Sequence, residues 1–267
     1  MKETRGYQIW QIIYPIAMYY VVSSIVYFVL ELFMGNENRT YMLRQMICAA
    51  ATIPVILGYY MQDQKIKNQV YGTDQQGLDI KLVKNILLSL VSAATFGVTV
   101  NNIIAMTPLI ELSGGFRQAN EAFFGGQMVF EFLGSCLVIP IAEELLFRGV
   151  VYRRIRLLLH AVPAIILSAV IFGLVHVNLV QGLYAGILGL LLAFLYEKTG
   201  CFYAPVLGHI AANTVAVMRQ ETGWASFSYE PSAKGIGFTL IVAAIASTVI
   251  GYLIWEWRRE EHGKEMQ

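Results

Sequence analysis

Residues 132–152, FLGSCLVIPIAEELLFRGVVY, are apolar for the length of a membrane crossing, yet they carry Glu143, Glu144 and Arg148. An apolar run of about 20 residues reads as a transmembrane helix. Charged groups are costly in hydrocarbon, so those found there face a polar cavity or one another. Backbone groups in lipid must also be satisfied internally, so the neighbours of such a helix are expected to be helices too. The stretch therefore sets an all-α fold and places the chemistry within the membrane.

Outward from it the chain keeps the same character. Its 267 residues are 57% hydrophobic and 14% charged, against about 25% charged for a soluble domain. Apolar runs place spans at roughly 8–34, 42–61, 85–108, 126–152, 161–178, 179–197, 201–220 and 235–257. The expected architecture is a polytopic transmembrane helical bundle of about eight spans, one integral membrane domain over residues 1–267. The join of the fifth and sixth spans, near Asn178, reads as a broken helix or a very short turn. The stretch 8–34 is too long for a signal-peptide core and no small-x-small cleavage site follows it, so it is an uncleaved span.

Basic residues set the expected orientation. With the N-terminus in the cytoplasm, the inner segments hold 13 Lys and Arg: Lys2, Arg5, Lys65, Lys67, Lys81, Lys84, Arg153, Arg154, Arg156, Lys198, Arg258, Arg259 and Lys264. The outer segments hold 5: Arg39, Arg44, Arg117, Arg219 and Lys234. The localisation that follows is a multi-pass protein of the cell membrane with both termini cytoplasmic. A net charge of +1 gives no footprint for nucleic acid.

Several features read as packing. Cys48, Cys136 and Cys201 are an odd set without paired spacing, which points away from a disulfide framework or a Cys-based zinc site. Gly182-xxx-Gly186 and Ala243-xxx-Ser247-xxx-Gly251 are expected to let helices approach closely, within the chain in preference to across a dimer face. Pro15, Pro54, Pro140 and Pro205 are expected to bend or locally open their helices. Segment 111–127, with Phe123 and Phe124, is too polar to span and reads as an interfacial helix, a flap or a surface loop. Segment 62–84 reads as a polar cytoplasmic loop, and the tail after Trp257 as a frayed end.

The polar residues fall into three spans. Glu144 and Arg148, four apart, share a helical face and can pair. Glu143 is turned by about 100° from Glu144, which leaves it to face a cavity as a general base. Phe172 and His176 are also four apart, so the ring can orient the imidazole and exclude water. His209 and Asn213 lie one turn apart and offer two hydrogen-bond donors in a row, as an oxyanion formed during amide hydrolysis requires. At about 1.5 Å per residue, Glu143 lies about 15–20 Å from the 153–156 cluster, His176 about 24 Å from His160, and His209 with Asn213 about 14–20 Å from Gly200. Those depths permit one site.

In order, Glu143-Glu144-xxx-Arg148, Phe172-xxx-His176 and His209-xxx-Asn213 resemble the three motifs of the CAAX-protease and bacteriocin-processing family of intramembrane proteases, known as CPBP or Abi. The resemblance covers roughly 128–220, the expected catalytic core. It implies a CAAX-protease-like bundle whose cavity is reached from the membrane and one aqueous face. It also implies that Glu143 and His176 activate water, that His209 and Asn213 stabilise the oxyanion, and that Glu144 and Arg148 hold the site together. Related eukaryotic enzymes remove the last three residues of prenylated proteins. Bacterial members are associated with peptide maturation, bacteriocin immunity or scaffolding of sensor proteins.

The expected activity is therefore an intramembrane endopeptidase acting on a membrane-associated peptide or protein within the lipid bilayer. The alternative is a non-catalytic scaffold or bacteriocin-immunity factor that works with a sensor kinase or a peptide exporter. A proton-relaying transporter is a weaker fit, because no inverted repeat is visible and the polar residues cluster in the C-terminal half. Catalysis without a cofactor is favoured over zinc. A zinc enzyme would draw Glu143, His176 and His209 as its ligands, but the chain has no HExxH and these residues come from three helices.

Overall fold

The computed structural model describes residues 4–71, 80–176 and 178–265. Lys2 and the 72–79 part of the expected cytoplasmic loop lie outside the described residues. Among the described residues there are no strands. The long helical segments are α1 (Arg5–Met34), α2 (Asn38–Tyr71), α3 (Ile80–Ala105), α4 (128–156), α5 (Ala161–Leu174), α6 (Leu179–Thr199), α7 (Tyr203–Thr222) and α8 (Ala233–Glu265). Between α3 and α4 lie two short helices, Leu109–Leu112 and Phe116–Phe123. The second of these gives the polar 111–127 segment its helix, at whose end the Phe123 and Phe124 rings meet tilted, 4.6 Å apart.

Among the described residues, five helices are long and apolar enough to cross a membrane: α1, α2 over Asn38–Ile66, α3, α6, and α8 over Ala233–His262. The other three segments depart from a simple span for physical reasons. The 14 residues of α5 rise only about 21 Å. In α7, His209, Asn213, Arg219 and Glu221 dilute the apolar run. In α4, two π-helical stretches, Phe132–Val138 and Leu145–Tyr152, flank the short α-helical piece Ile139–Glu144.

The prolines explain part of this. Pro140 removes a backbone donor and its ring crowds the preceding turn. The π-helical turn before it is the local opening expected there. By contrast, α1 and α2 continue as helices through Pro15 and Pro54. Pro205 stands in the first turn of α7, where its missing N–H has no intrahelical partner to lose.

The described residues form two compact units. The first contains α1, α2, the segment from Arg117, α4, and α5 as far as Phe172. There, glycines let α4 press against α2: a Cβ at Gly134 would lie 3.1 Å from Met42 Sδ, and one at Gly149 would lie 3.1 Å from Tyr60. Leu146, Val150, Val151 and Tyr152 of α4 are buried. At one end of α4, Arg154 pairs with Asp63 of α2 through Nε and Nη2, each 2.9 Å, and donates to the Gln11 carbonyl of α1 at 2.6 Å. Arg44, expected on the outer surface, is instead buried. It closes the α1–α2 turn by donating to Gly35 O, Asn36 Oδ1 and Glu37 O.

The second unit contains α3, α6, α7, α8 and the connection from Gly173. α3 lies against α7, with Gly97 facing Ala212 (Cβ approach 3.2 Å) and Gly208 facing Ala93 (3.3 Å). Ser89, Ser92, Thr99 and Asn102 form a buried polar stripe on α3. The Ser and Thr hydroxyls return to carbonyls of their own helix, so the stripe can be buried without separate partners. Lys198 of α6 donates to both Glu260 oxygens at 2.8 and 2.9 Å, and Lys84 of α3 pairs with Glu256 at 2.6 Å, which ties both helices to α8.

Two small-residue motifs part company here. A Cβ at Gly173 would lie 2.7 Å from Gly182 O and 3.1 Å from Gly186 Cα, so the Gly182-xxx-Gly186 face of α6 does receive another backbone. The Ala243-xxx-Ser247-xxx-Gly251 face does not. Ser247 and Gly251 are exposed and nothing lies within 4 Å of a Cβ at Gly251, so the expectation of packing within the chain fails. The expected 62–84 loop is also shorter, because α2 continues to Tyr71 and α3 begins at Ile80.

Candidate active site

In the first unit, Glu144 and Arg148 form the expected pair. Arg148 Nη1 donates to Glu144 Oε1 at 2.8 Å, and both side chains are wholly buried. The spacing works because one helical turn puts i and i+4 on one face. The Arg148 guanidinium also lies over the Phe172 ring, 4.7 Å from its centroid, and Phe147 meets Phe172 edge-on at 4.8 Å. A weakly hydrated planar cation is suited to this combination of carboxylate and aromatic face. The result is a closed charge–aromatic cluster that joins α4 to α5.

Glu143 differs from its neighbour as the helical rotation predicts. It is half-buried where Glu144 is wholly buried. Its carboxylate lies within electrostatic reach of the Tyr19 and Tyr20 hydroxyls of α1 and of Arg148. Nothing in the sequence singles out Tyr19 and Tyr20. They are two aromatics in a long apolar run, and their relation to Glu143 comes from tertiary packing of α1 on α4.

His176, His209 and Asn213 belong to the second unit. His209 is buried, 4% exposed, and Asn213 follows it one turn later, half-buried, on the same helix α7. Gly208 beside His209 lets α7 approach α3 and α6: a Cβ there would lie 3.3 Å from Ala93 and 3.4 Å from Leu192.

The His176 expectation needs a correction. α5 ends at Leu174, so Phe172 and His176 do not share a helical face, and the depth computed along one continuous helix does not apply to His176. His176 is half-buried in the bend that follows, its N–H donating to Gly173 O at 3.2 Å. The next helix begins three residues later, at Leu179. Asn178, in an extended conformation, accepts from Gln181 N at 2.9 Å and so caps α6. The expected very short turn is thus the connection that carries His176.

Within each unit, the described residues hold no group of three His, Cys, Asp or Glu side chains arranged for a metal.

Comparisons with known proteins place this segment. Residues 125–215 match a family described as type II CAAX prenyl endopeptidase, Rce1-like. A candidate membrane peptidase of Bacillus subtilis (strain 168), YdiL, is 35% identical over 86 residues, which make up 32% of this chain and 35% of that protein. The chain therefore spans about a third of the length of the curated relative it matches. No solved structure matches. The Glu-Glu-xxx-Arg, Phe-xxx-His and His-xxx-Asn residues all fall within the matched segment, so it is the part of this helical membrane protein that carries the three motifs that is similar to the type II CAAX prenyl endopeptidase, Rce1-like family.

Proposed function

We propose that the chain is an intramembrane endopeptidase that hydrolyses a peptide bond in a membrane-associated peptide or protein. The observation that carries this reading is the division of labour at adjacent acids. Glu144 is consumed by a wholly buried pair with Arg148, and Glu143, next to it, keeps a half-buried carboxylate. A structural ion pair beside a partly open acid supplies both rigidity and a base.

In this reading Glu143, aided by His176, takes a proton from water as the oxygen attacks the scissile carbonyl carbon. Negative charge then develops on the carbonyl oxygen. The His209 imidazole and the Asn213 amide donate hydrogen bonds to it, which lowers the barrier because the donors are already oriented by α7. The proton is passed to the amine nitrogen as the C–N bond breaks. Glu144, Arg148 and Phe172 touch no reacting atom and hold α4 in place.

The test is a matched pair in the native host: wild type and Glu143→Gln at equal membrane abundance, with peptidomics of membrane and medium. Loss of a processed peptide in Glu143→Gln is the expected result and names the substrate. An unchanged peptidome, with the deletion phenotype still rescued by Glu143→Gln, would replace the protease with a scaffold or immunity role.

The same proposal holds that the reaction needs no metal. Protein purified without chelator is expected to carry substoichiometric zinc by elemental analysis and to keep its activity after chelation. Stoichiometric zinc, lost together with activity, would instead make Glu143, His176 and His209 its ligands.

A further inference from the structure

A second charged centre lies in the second unit, near the end of α7, and none of the motifs accounts for it. Arg219 is 1% exposed. Its Nη2 donates to Asn102 Oδ1 of α3 at 2.8 Å and to Ser228 Oγ at 2.6 Å, and its guanidinium lies 4.4 Å from the centroid of the Tyr229 ring. Asn102 is itself fixed by donating to Thr239 Oγ1 of α8 at 2.9 Å. Every one of these partners is neutral. Among the described residues no carboxylate pairs with Arg219, and its Nε and Nη1 are buried without a hydrogen-bond partner. The Tyr184 hydroxyl of α6, within electrostatic reach of Arg219, is likewise buried without a partner.

A guanidinium does not lose its proton in a protein, and a buried charge without a counter-charge is strongly destabilising. The negative end of α7, three residues on, offsets only part of it. Two unused guanidinium N–H groups and an unused phenol O–H, around one uncompensated positive charge, form a set of donors for an anion. One positive charge is balanced by one negative charge, and a planar two-oxygen group matches the guanidinium geometry.

We infer that Arg219, with Tyr184, forms a binding site for a single carboxylate, at the end of the helix that carries His209 and Asn213. The strap 223–229 supplies Ser228 and Tyr229 and forms the way in. It holds Ala225 at φ 56°, in the left-handed region, a conformation that a Cβ makes costly. That cost favours lifting of the strap. The site is separate from the proposed hydrolysis and its test needs no proteolysis.

The test uses the full chain purified in a neutral detergent, with Tm followed as sodium acetate is titrated against the bulky sulfonate MES at equal ionic strength. Acetate is expected to raise Tm saturably by about 2–6 °C. Arg219→Gln is expected to lose that response. Asn102→Asp provides a second variant should Arg219→Gln fail to fold. It places a carboxylate where Asn102 Oδ1 already meets Arg219, so it should raise Tm in MES and abolish the acetate response. Equal Tm in acetate and MES for wild type, or an acetate response that survives in Asn102→Asp, would overturn the site. Alanyl-alanine and its C-terminal amide then separate the sources. A response to the acid at lower concentration than acetate, absent with the amide, assigns a peptide carboxylate. A response to acetate alone assigns a free small carboxylate.

Discussion

At the scale of single residues, the adjacent acids of α4 behave as two different groups because a helix turns by about 100° per residue. The Glu144–Arg148 pair is wholly buried, so its two members are interdependent. Arg148→Ala leaves Glu144 stranded, at a cost of about 3–5 kcal/mol, and folded protein in the membrane should fall well below wild type. Glu144→Leu/Arg148→Met removes both charges and should recover much of that loss. Glu143→Gln, whose side chain is half-buried, should keep near-wild-type abundance. Quantitative immunoblotting of membranes with a detergent Tm checks all three, and equal abundance of Arg148→Ala and wild type would show that the pair contributes little. The pair was legible in the sequence because an i,i+4 relation is local. The Phe172 ring above Arg148 and the tyrosines near Glu143 were not, because they depend on which helices meet.

At the scale of elements, the sequence pattern located the long helices but not all of their boundaries. α2 runs ten residues past its expected end, at 61, to Tyr71, since polar residues such as Gln62, Asp63 and Gln64 end an apolar run without ending a helix. α5 stops at Leu174 because Asn178 caps the following helix, and that moves His176 into a bend. The π-helical stretches of α4 left no signal beyond Pro140. Close backbone approach gives a prediction at this scale. Gly173→Ala would drive a Cβ to within 2.7 Å of the Gly182 carbonyl, whereas Gly58 of α2 has nothing within 4 Å. Gly173→Ala should therefore lower Tm by several degrees. Gly58→Ala should leave it unchanged or raise it, since Ala is favoured over Gly in a helix by about 0.5–1 kcal/mol. Thermal unfolding of the two variants side by side decides this, and equal Tm values would show that the 173–182 contact is loose.

At the scale of the whole molecule, the matched segment is 125–215, and the flanking helices were legible only as apolar lengths. Orientation is a whole-chain property, and the expected eight-span topology assigns 13 basic residues to the inner segments and 5 to the outer ones. Two of the five outer residues, Arg44 and Arg219, are buried and hydrogen-bonded. Arg154 and Lys198 of the thirteen are buried as well, so burial leaves the difference between the two sets unchanged. Both termini are expected in the cytoplasm, as read by reporter fusions at each end, and opposite signals from the two ends would require an odd number of crossings. The first helix carries a different consequence. None of its best apolar window is buried, and it is 30 residues long, about 45 Å of rise against about 30 Å of hydrocarbon. A rod longer than its solvent layer, held by protein on little of its surface, tilts to fit. Acyl-chain length then acts on that tilt alongside the contacts of α1 with α4, and Tyr19 and Tyr20, halfway along that rod, make lipid thickness a variable of the surroundings of Glu143.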